Sequence, residues 1–308
     1  PASASFIARL LHGEAGDLLG TLCLARRCDL AIAPAMNQAM WANAATQTNL
    51  DQLSRVPGIK IWGPASGEQA CGDVGLGRMV EPAELLDLVQ DCFVTGTLAG
   101  LKVTITAGPT REALDPVRYL SNHSSGKMGY ALAQAAMEAG AEVTLITGPT
   151  SVPIPERLTC IQVVSAEQML KACQDNSGDI FIGVAAVADY RPVDTSAQKI
   201  KKDSPTMALT LIRNPDILAT MAASTPRPFC VGFAAETENL AAHARHKLMS
   251  KNLDLIFAND ATATFGADDA QVQAFWPGGD TTFPMSSKSQ LARGMIALIS
   301  ARFHPHHD

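Results

Sequence analysis

From Leu101 onward, short apolar runs rich in β-branched residues alternate with segments of helical periodicity, and this alternation restricts the possible folds more than any other feature. Leu101 to Ala107 is the first such run, stopped by Gly108-Pro109, and Met128 to Ala139 has helical spacing closed by Gly140. Val143 to Thr147 is the next run. Further strands are expected at Asp179 to Ala185, Phe229 to Ala234 and Leu253 to Ala258, with helices at Ala166 to Cys173 and Ala241 to Lys251. Such an order predicts a mostly parallel sheet with helices on both faces, a three-layer α/β architecture that binds ligands at the carboxyl ends of its strands. Near the end, Val272 to Trp276 and Thr281 to Pro284 flank Pro277-Gly-Gly-Asp, a hairpin signal, and Lys288 to Arg302 reads as a closing helix.

A composition break at Val94 to Gly100, where small residues follow the helical pattern of Ala83 to Phe93, divides the chain into expected domains at 1–97 and 98–308. Before the break, Arg27 to Ala33 reads as a short buried strand ending in Pro34-Ala-Met-Asn, Ala42 to Arg55 as a helix and Ile59 to Trp62 as a strand. Glycines at 63, 67, 72, 75 and 77 give the run Gly63 to Arg78 no apolar period, which suits a flap or a set of tight turns. The chain opens at Pro1 within what reads as a strand-end loop, so an N-terminal truncation is expected.

With 308 residues, 47% of them hydrophobic and 18% charged, the chain can bury two cores. Its longest apolar stretches fall short of the ~20 residues a membrane-spanning helix needs. The seven cysteines show no CxxC pairs with histidine partners and read as small core residues apart from Cys71; a soluble protein of the reducing cytoplasm is expected. A formal charge of −6 argues against general nucleic-acid binding, while leaving room for a local basic pocket.

The strongest chemical signal is the loop Thr106 to Lys127, which follows a strand and delivers Ser124, Ser125, Gly126 and Lys127 to the first turn of a helix. Free N–H groups there, with hydroxyls and a cation, form an anion cradle; Asn122 to Ser125 also read as ordinary helix caps. The loop is neither a GxGxxG fingerprint nor a Walker A motif, which disfavours a nicotinamide-dependent oxidoreductase. A second group is Ala185 to Arg191 at a strand end, including Asp189, followed by Lys199-Ile-Lys-Lys202; lysines near a strand-end acid can neutralise phosphoryl charge, and equally can be a solvated cluster. Asn214-Pro215-Asp216-Ile217 can be a turn before a helix. Lys247 and Lys251 lie one helical turn apart, either converging on a site or exposed. Cys71 can serve as a proton donor or be inert, and Asn37 can hold a carboxylate or close a turn. His304, His306 and His307 read as a frayed tail.

Together these residues resemble the bifunctional phosphopantothenoylcysteine decarboxylase/phosphopantothenate-cysteine ligase family over essentially the whole chain. The blocks that carry the resemblance are ITAGPTRE (105–112), DPVRYLSNHSSGKMG (115–129), AAVADYRP (185–192), KIKK (199–202), NPDI (214–217), GFAAET (232–237) and LDLIFAND (253–260). Earlier in the chain, PASAS (1–5), PAMN (34–37) and SGEQACGDVGLGRM (66–79) match the decarboxylase. The resemblance implies a Rossmann-like ligase domain preceded by the C-terminal part of a flavodoxin-like flavoprotein. It implies CTP-dependent, magnesium-assisted activation of 4'-phosphopantothenate as an acyl-cytidylate, from which L-cysteine displaces CMP. Asn122 would then orient the acyl group and Lys199 would stabilise charge. CTP would contact Gly183, Val184, Ala185, Asp189, Lys199, Asn214, Pro215, Asp216, Ile217, Phe233, Lys247 and Lys251; no metal ligand is assigned. In the decarboxylase Cys71 would be the acid and Asn37 the carboxylate clamp, with FMN the oxidant. The flavin loop and catalytic histidine that precede PASAS in the family do not occur here, and Ser5 stands where relatives often have Asn, so weak FMN binding is expected. Ligase dimers, and larger assemblies through an intact decarboxylase domain, are implied as well. A non-catalytic flavoprotein-like binding subunit is the competing reading.

Overall fold

The computed structural model describes residues 1–68, 72, 74–201, 205–236, 238–260 and 268–303. The chain divides into two compact units, Pro1–Phe93 and Val94–Asp308.

In the first unit, helices α1 (Ala4–His12) and α2 (Leu18–Ala25) precede β1 (Leu30–Ile32), α3 (Gln38–Ala42), α4 (Ala44–Ser54), β2 (Ile59–Ile61), β3 (Ala65–Glu68), β4 (Val74–Arg78) and α5 (Pro82–Asp91). Strands β1 and β2 pair in parallel, and Ile7, Ile32, Leu50 and Leu53 fill the core beneath them. The strand expected over 27–33 is only three residues long. The expected single helix over 42–55 is broken at Asn43, whose extended backbone and side-chain bond to the Ala45 N–H, 2.9 Å, make it the cap of α4. The Gly63 to Arg78 run, expected as a flap or a set of tight turns, has more regular order. Its described parts form an antiparallel hairpin in which Gly67 faces Gly75, a ladder built from backbone hydrogen bonds that requires no apolar period. A Cβ on Gly75 would lie 2.4 Å from Gln38 Cδ, so the Gln38 side chain would have to move to admit one.

The second unit runs β5 (Lys102–Ala107), β6 (Arg111–Ala113), β7 (Tyr119–Ser121), α6 (Lys127–Glu138), β8 (Glu142–Thr147), β9 (Thr159–Gln162), α7 (Ala166–Asp175), β10 (Ile180–Gly183), β11 (Tyr190–Pro192) and β12 (Leu211–Arg213). It continues through α8 (Ile217–Ala222), β13 (Phe229–Glu236), α9 (Leu240–Ser250), β14 (Leu255–Asp260), β15 (Asp269–Trp276), β16 (Gly279–Ser287) and α10 (Lys288–Phe303). Among the described residues the main sheet has eight strands in the order β16-β15-β14-β13-β10-β5-β8-β9. β15 and β16 are antiparallel, and the six strands from β14 to β9 are parallel.

Strand periodicity explains the layers. Val103, Ile105, Ile180, Ile182, Val231, Leu255 and Phe257 point to the face covered by α6 and α10. Their neighbours Phe181, Cys230, Ile256 and Ala258 point to the opposite face, covered by α7, α8 and α9. Phe181 and Phe257 are fully buried, each contributing roughly 1.5–3 kcal/mol of transfer free energy. From β5 the chain proceeds outward to β8 and β9, then returns to β10 and proceeds the other way through β13 and β14. The order therefore reverses between β5 and β10, and a crevice opens outside their carboxyl ends.

Not every cysteine is a core residue. Burial pushes the Cys173 and Cys230 thiols up to about 12 and about 11. Cys28 and Cys92 are exposed, and Cys92 Sγ, at the end of α5, meets Lys60 Nζ at 3.2 Å. No helix among the described residues is long and apolar enough to cross a membrane.

Candidate active site

The crevice at the β5/β10 reversal holds a cavity of about 390 Å3. Its floor is built by four hydrogen bonds that Thr106, Gly108 and Thr110, at and beyond the end of β5, accept from the segment after β10. Thr106 Oγ1 accepts the N–H groups of Val184 and Ala185, each at 3.2 Å. The Ala186 N–H donates to the Gly108 carbonyl at 2.9 Å, and the Ala188 N–H donates to Thr110 Oγ1 at 3.0 Å. The segment Gly183 to Asp189 is therefore laid along the cavity rather than free in solvent.

One wall is the first turn of α6. Gly126, at φ 78°, sits in the left-handed region and turns Ser124 and Ser125 toward the cavity, while the helix approaches β5 so closely that a Cβ on Gly129 would lie 2.5 Å from Ala107 Cβ. The Gly126 N–H donates to Ser124 Oγ at 3.3 Å. The N–H groups of such a turn lack intrahelical partners and aim positive dipole ends at the cavity.

The opposite wall comes from α8 and α9. Asp216 caps α8 by accepting the Ala219 N–H at 3.0 Å and holds Lys251 Nζ at 2.8 Å. Burial alone would raise the Asp216 carboxyl; Lys251 and the cap N–H outweigh it and hold the group below the usual carboxylate range. Lys247 Nζ meets Glu236 Oε1 at 2.6 Å, and His243 meets the other oxygen at 3.2 Å. Glu236 is likewise held low, against its burial, chiefly by Lys247. Asn214 is buried and its amide is committed: Nδ2 donates to the Ala188 carbonyl at 2.8 Å, and Oδ1 accepts from Arg191 at 3.1 Å.

Eleven of the positions expected to meet a nucleotide line this one cavity: Gly183, Val184, Ala185 and Asp189 from the β10 segment, Asn214 to Ile217 at the α8 turn, Phe233 on β13, and Lys247 and Lys251 on α9. Asn122 lies beside it, in an adjoining depression that shares Ser124 and Ser125, with Nδ2 donating to the Ala186 carbonyl at 2.9 Å. Lys199 is exposed and is not among the lining residues; its segment is fastened instead through Ile200, whose N–H reaches Asp115 at 3.1 Å and whose carbonyl accepts from Arg118 at 2.8 Å. Asn37 is half-buried and caps α3 through the Ala39 N–H, 2.7 Å. Cys71, Lys202, Thr237 and the histidines of the tail lie outside the described residues.

Residues not singled out from the sequence also line the cavity. Arg213, Lys288 and Asn259 do so, and Thr106 shapes it. Lys288 and Asn259 do have a local signal: a lysine at the start of a helix opposes the helix dipole, and a buried asparagine ends an otherwise apolar strand. Among the described residues no three or more His, Cys, Asp or Glu side chains gather in a metal-binding group. What the cavity can do is bind an anionic ligand of several charges against lysines and a helix N-terminus, beside a polar amide that can orient a second substrate.

Residues 98–303 match the family described as DNA/pantothenate metabolism flavoprotein C-terminal domain, and residues 1–94 match the Flavoprotein family. The chain is 52% identical over 307 residues to the coenzyme A biosynthesis bifunctional protein CoaBC of Vibrio vulnificus strain YJ016, covering 97% of this chain and 76% of that protein. To the protein of the same name from Escherichia coli K12 it is 47% identical over 313 residues, covering 98% and 77%. Among solved structures, the C-terminal domain of a coenzyme A biosynthesis bifunctional protein CoaBC matches with a TM-score of 0.58 at 38% identity, covering 67% of this chain and 97% of that one.

Proposed function

The chain belongs to the family of bifunctional coenzyme A biosynthesis proteins, and from that premise we propose that its cavity binds CTP and activates 4'-phosphopantothenate for ligation to L-cysteine. It is an α/β enzyme of coenzyme A biosynthesis, in a family that combines ligase and decarboxylase functions. The observation that carries the CTP reading is the convergence of eleven separately placed residues on one 390 Å3 cavity at the strand-order reversal.

The chemistry follows from a difficulty: a free carboxylate repels an amine nucleophile. The phosphopantothenate carboxylate attacks the α-phosphorus of CTP, pyrophosphate leaves, and the cysteine amine then displaces CMP from the mixed anhydride. Asn122, oriented by its bond to the Ala186 carbonyl, aligns the acyl group beside the α-phosphate. The α6 first turn and Lys127 stabilise phosphoryl charge, while Phe233 and the α8 turn bound the nucleoside. Lys199, one residue from the bonds of Ile200 to Asp115 and Arg118, brings positive charge to the acyl-cytidylate. Magnesium, when bound, would offset triphosphate charge; the Asn259 oxygen at the cavity wall, without a hydrogen-bond partner among the described residues, and the Asp189 carboxylate suit its oxygen preference.

For the first unit, Asn37 and Cys71 retain the proposed roles of carboxylate clamp and acid. Residues 1–94 match the Flavoprotein family, and FMN, when bound, would supply the redox chemistry of the decarboxylation. The ligase unit acts as a dimer in this reading.

Pyrophosphate release tests the proposal. With phosphopantothenate, magnesium and CTP the chain should release pyrophosphate, ATP should serve poorly, and Lys199→Gln should abolish release. Folded protein that releases none with any nucleotide would place the binding-subunit reading first.

A further inference from the structure

The ribbon formed by β11 and β12 carries two cavity residues at its root, Asp189 just before β11 and Asn214 just after β12. Its strands pair over three residues, Tyr190 with Arg213, Arg191 with Ile212 and Pro192 with Leu211, and the side chains of Tyr190, Leu211 and Ile212 are exposed. A two-stranded ribbon with so little apolar burial is marginally stable in water, so polar contacts at its root decide where Asp189 and Asn214 stand.

Arg191 supplies those contacts. Its Nη1 donates to the Arg213 carbonyl at 3.2 Å and to Asn214 Oδ1 at 3.1 Å, and its Nη2 meets Glu167 Oε1, in the first turn of α7, at 2.8 Å. One side chain on β11 thus grips the end of β12 and a helix packed on the main sheet. Arg191 is not among the residues lining the cavity. The Glu167 carboxylate is 61% exposed, which screens that pair, whereas Asn214 is buried.

The direction of hydrogen bonding makes the Asn214 contact specific. A guanidinium only donates, so it holds the oxygen end of the Asn214 amide on its own side and turns Nδ2 to the Ala188 carbonyl, 2.8 Å away. The Asn214 N–H donates to the Asp189 carbonyl at 2.8 Å, and the Ala188 N–H is tied to Thr110 Oγ1 at 3.0 Å. Loss of the guanidinium takes this partner from a buried amide oxygen and removes the group that orients the amide.

We propose that Arg191 is a positioning residue for the nucleotide: acting through the Asn214 amide, it sets the places of Asp189 and Asn214 in the cavity wall without itself touching the ligand. The assignment rests on the CTP reading above and deepens it. It makes the Asn214 side chain part of the framework that shapes the wall at the α8 turn, in place of a group that recognises the nucleotide directly.

Steady-state pyrophosphate release by the full chain, with CTP and phosphopantothenate varied in turn, tests this. Arg191→Met should raise the KM for CTP about 10-fold, while kcat and the KM for phosphopantothenate stay within about twofold. Asn214→Ala should raise the same KM by a similar factor. The double variant should be about as impaired as either single one, because residues that act through one another are not additive. If Arg191→Met fails to fold, Arg191→Lys, which meets fewer of these acceptors at once, should show the same split at smaller amplitude. An unchanged KM for CTP in a folded Arg191 variant, an equal rise in KM for both substrates, or a double variant impaired about 100-fold overturns the proposal while the CTP reading stands. A wild-type chain that neither binds nor uses CTP overturns both.

Discussion

The buried carboxylate of Asp115 accepts the backbone N–H of Ile200 at 3.1 Å, joining the loop after β6 to the segment that carries Lys199. Arg118 completes the clasp: it donates to Asp115 Oδ2 at 2.6 Å and to the Ile200 carbonyl at 2.8 Å. A lysine absent from the cavity wall is thus tethered one residue from a rigid anchor.

The clasp makes Asp115 a positioning residue for Lys199. Asp115→Asn should lower pyrophosphate release about 10- to 100-fold with little change in CTP affinity, whereas direct removal of the Lys199 charge should cost at least as much. Steady-state kinetics beside nucleotide titration separates the two; a fall in affinity equal to the fall in rate would argue for general disruption.

Acid should loosen the same clasp. Burial would raise the Asp115 carboxyl, but Arg118 and the N–H groups of Val117, Ile200 and Arg118 hold it well below the usual carboxylate range. Asp216 and Glu236 are held low by Lys251 and Lys247. Folded pKa values below the unfolded ones give stability that is fully present above about pH 4–5 and lost as pH falls through the depressed values. Thermal melting should therefore stay flat from neutral pH down to about 5 and then drop, and Asp115→Asn should flatten the acid limb.

Asp216→Ala should remove the α8 cap and release Lys251 together. Loss of the cap alone costs about 1 kcal/mol, readable in urea unfolding. Lys251→Met should leave the cap intact and destabilise less, yet lower nucleotide affinity by a comparable factor.

Gly129→Val should separate α6 from β5, since even a Cβ would stand 2.5 Å from that of Ala107. Overpacking of this kind costs about 1–3 kcal/mol. Pyrophosphate affinity should fall with stability, because the same shift moves the first turn of α6 away from the phosphates.

The sequence by itself determined the layered architecture of the second unit, because strand and helix periods are local properties of which side chains face a core. Leu101 to Ala107 and Phe229 to Ala234 carry that period within six or seven residues. The motif around Ser124 to Lys127 was legible for a similar reason, since a strand, a glycine and a helix start in succession fix where an anion can sit. The Gly63 to Arg78 hairpin was not, because its order comes from backbone pairing of Gly67 with Gly75, which leaves no side-chain pattern. Helices α1 and α2 were also missed, their first turns depending on caps at Ser3 and Asp17. Only the tertiary structure decided what the charges do. Helical spacing puts Lys247 and Lys251 on one face, but their pairing with Glu236 and Asp216, the pairing of Lys127 with Asp268, and an Asn259 oxygen without a hydrogen-bond partner among the described residues depend on how separate elements come together. Electrostatics acts through space, and its distances are set only when the sheet brings those elements together.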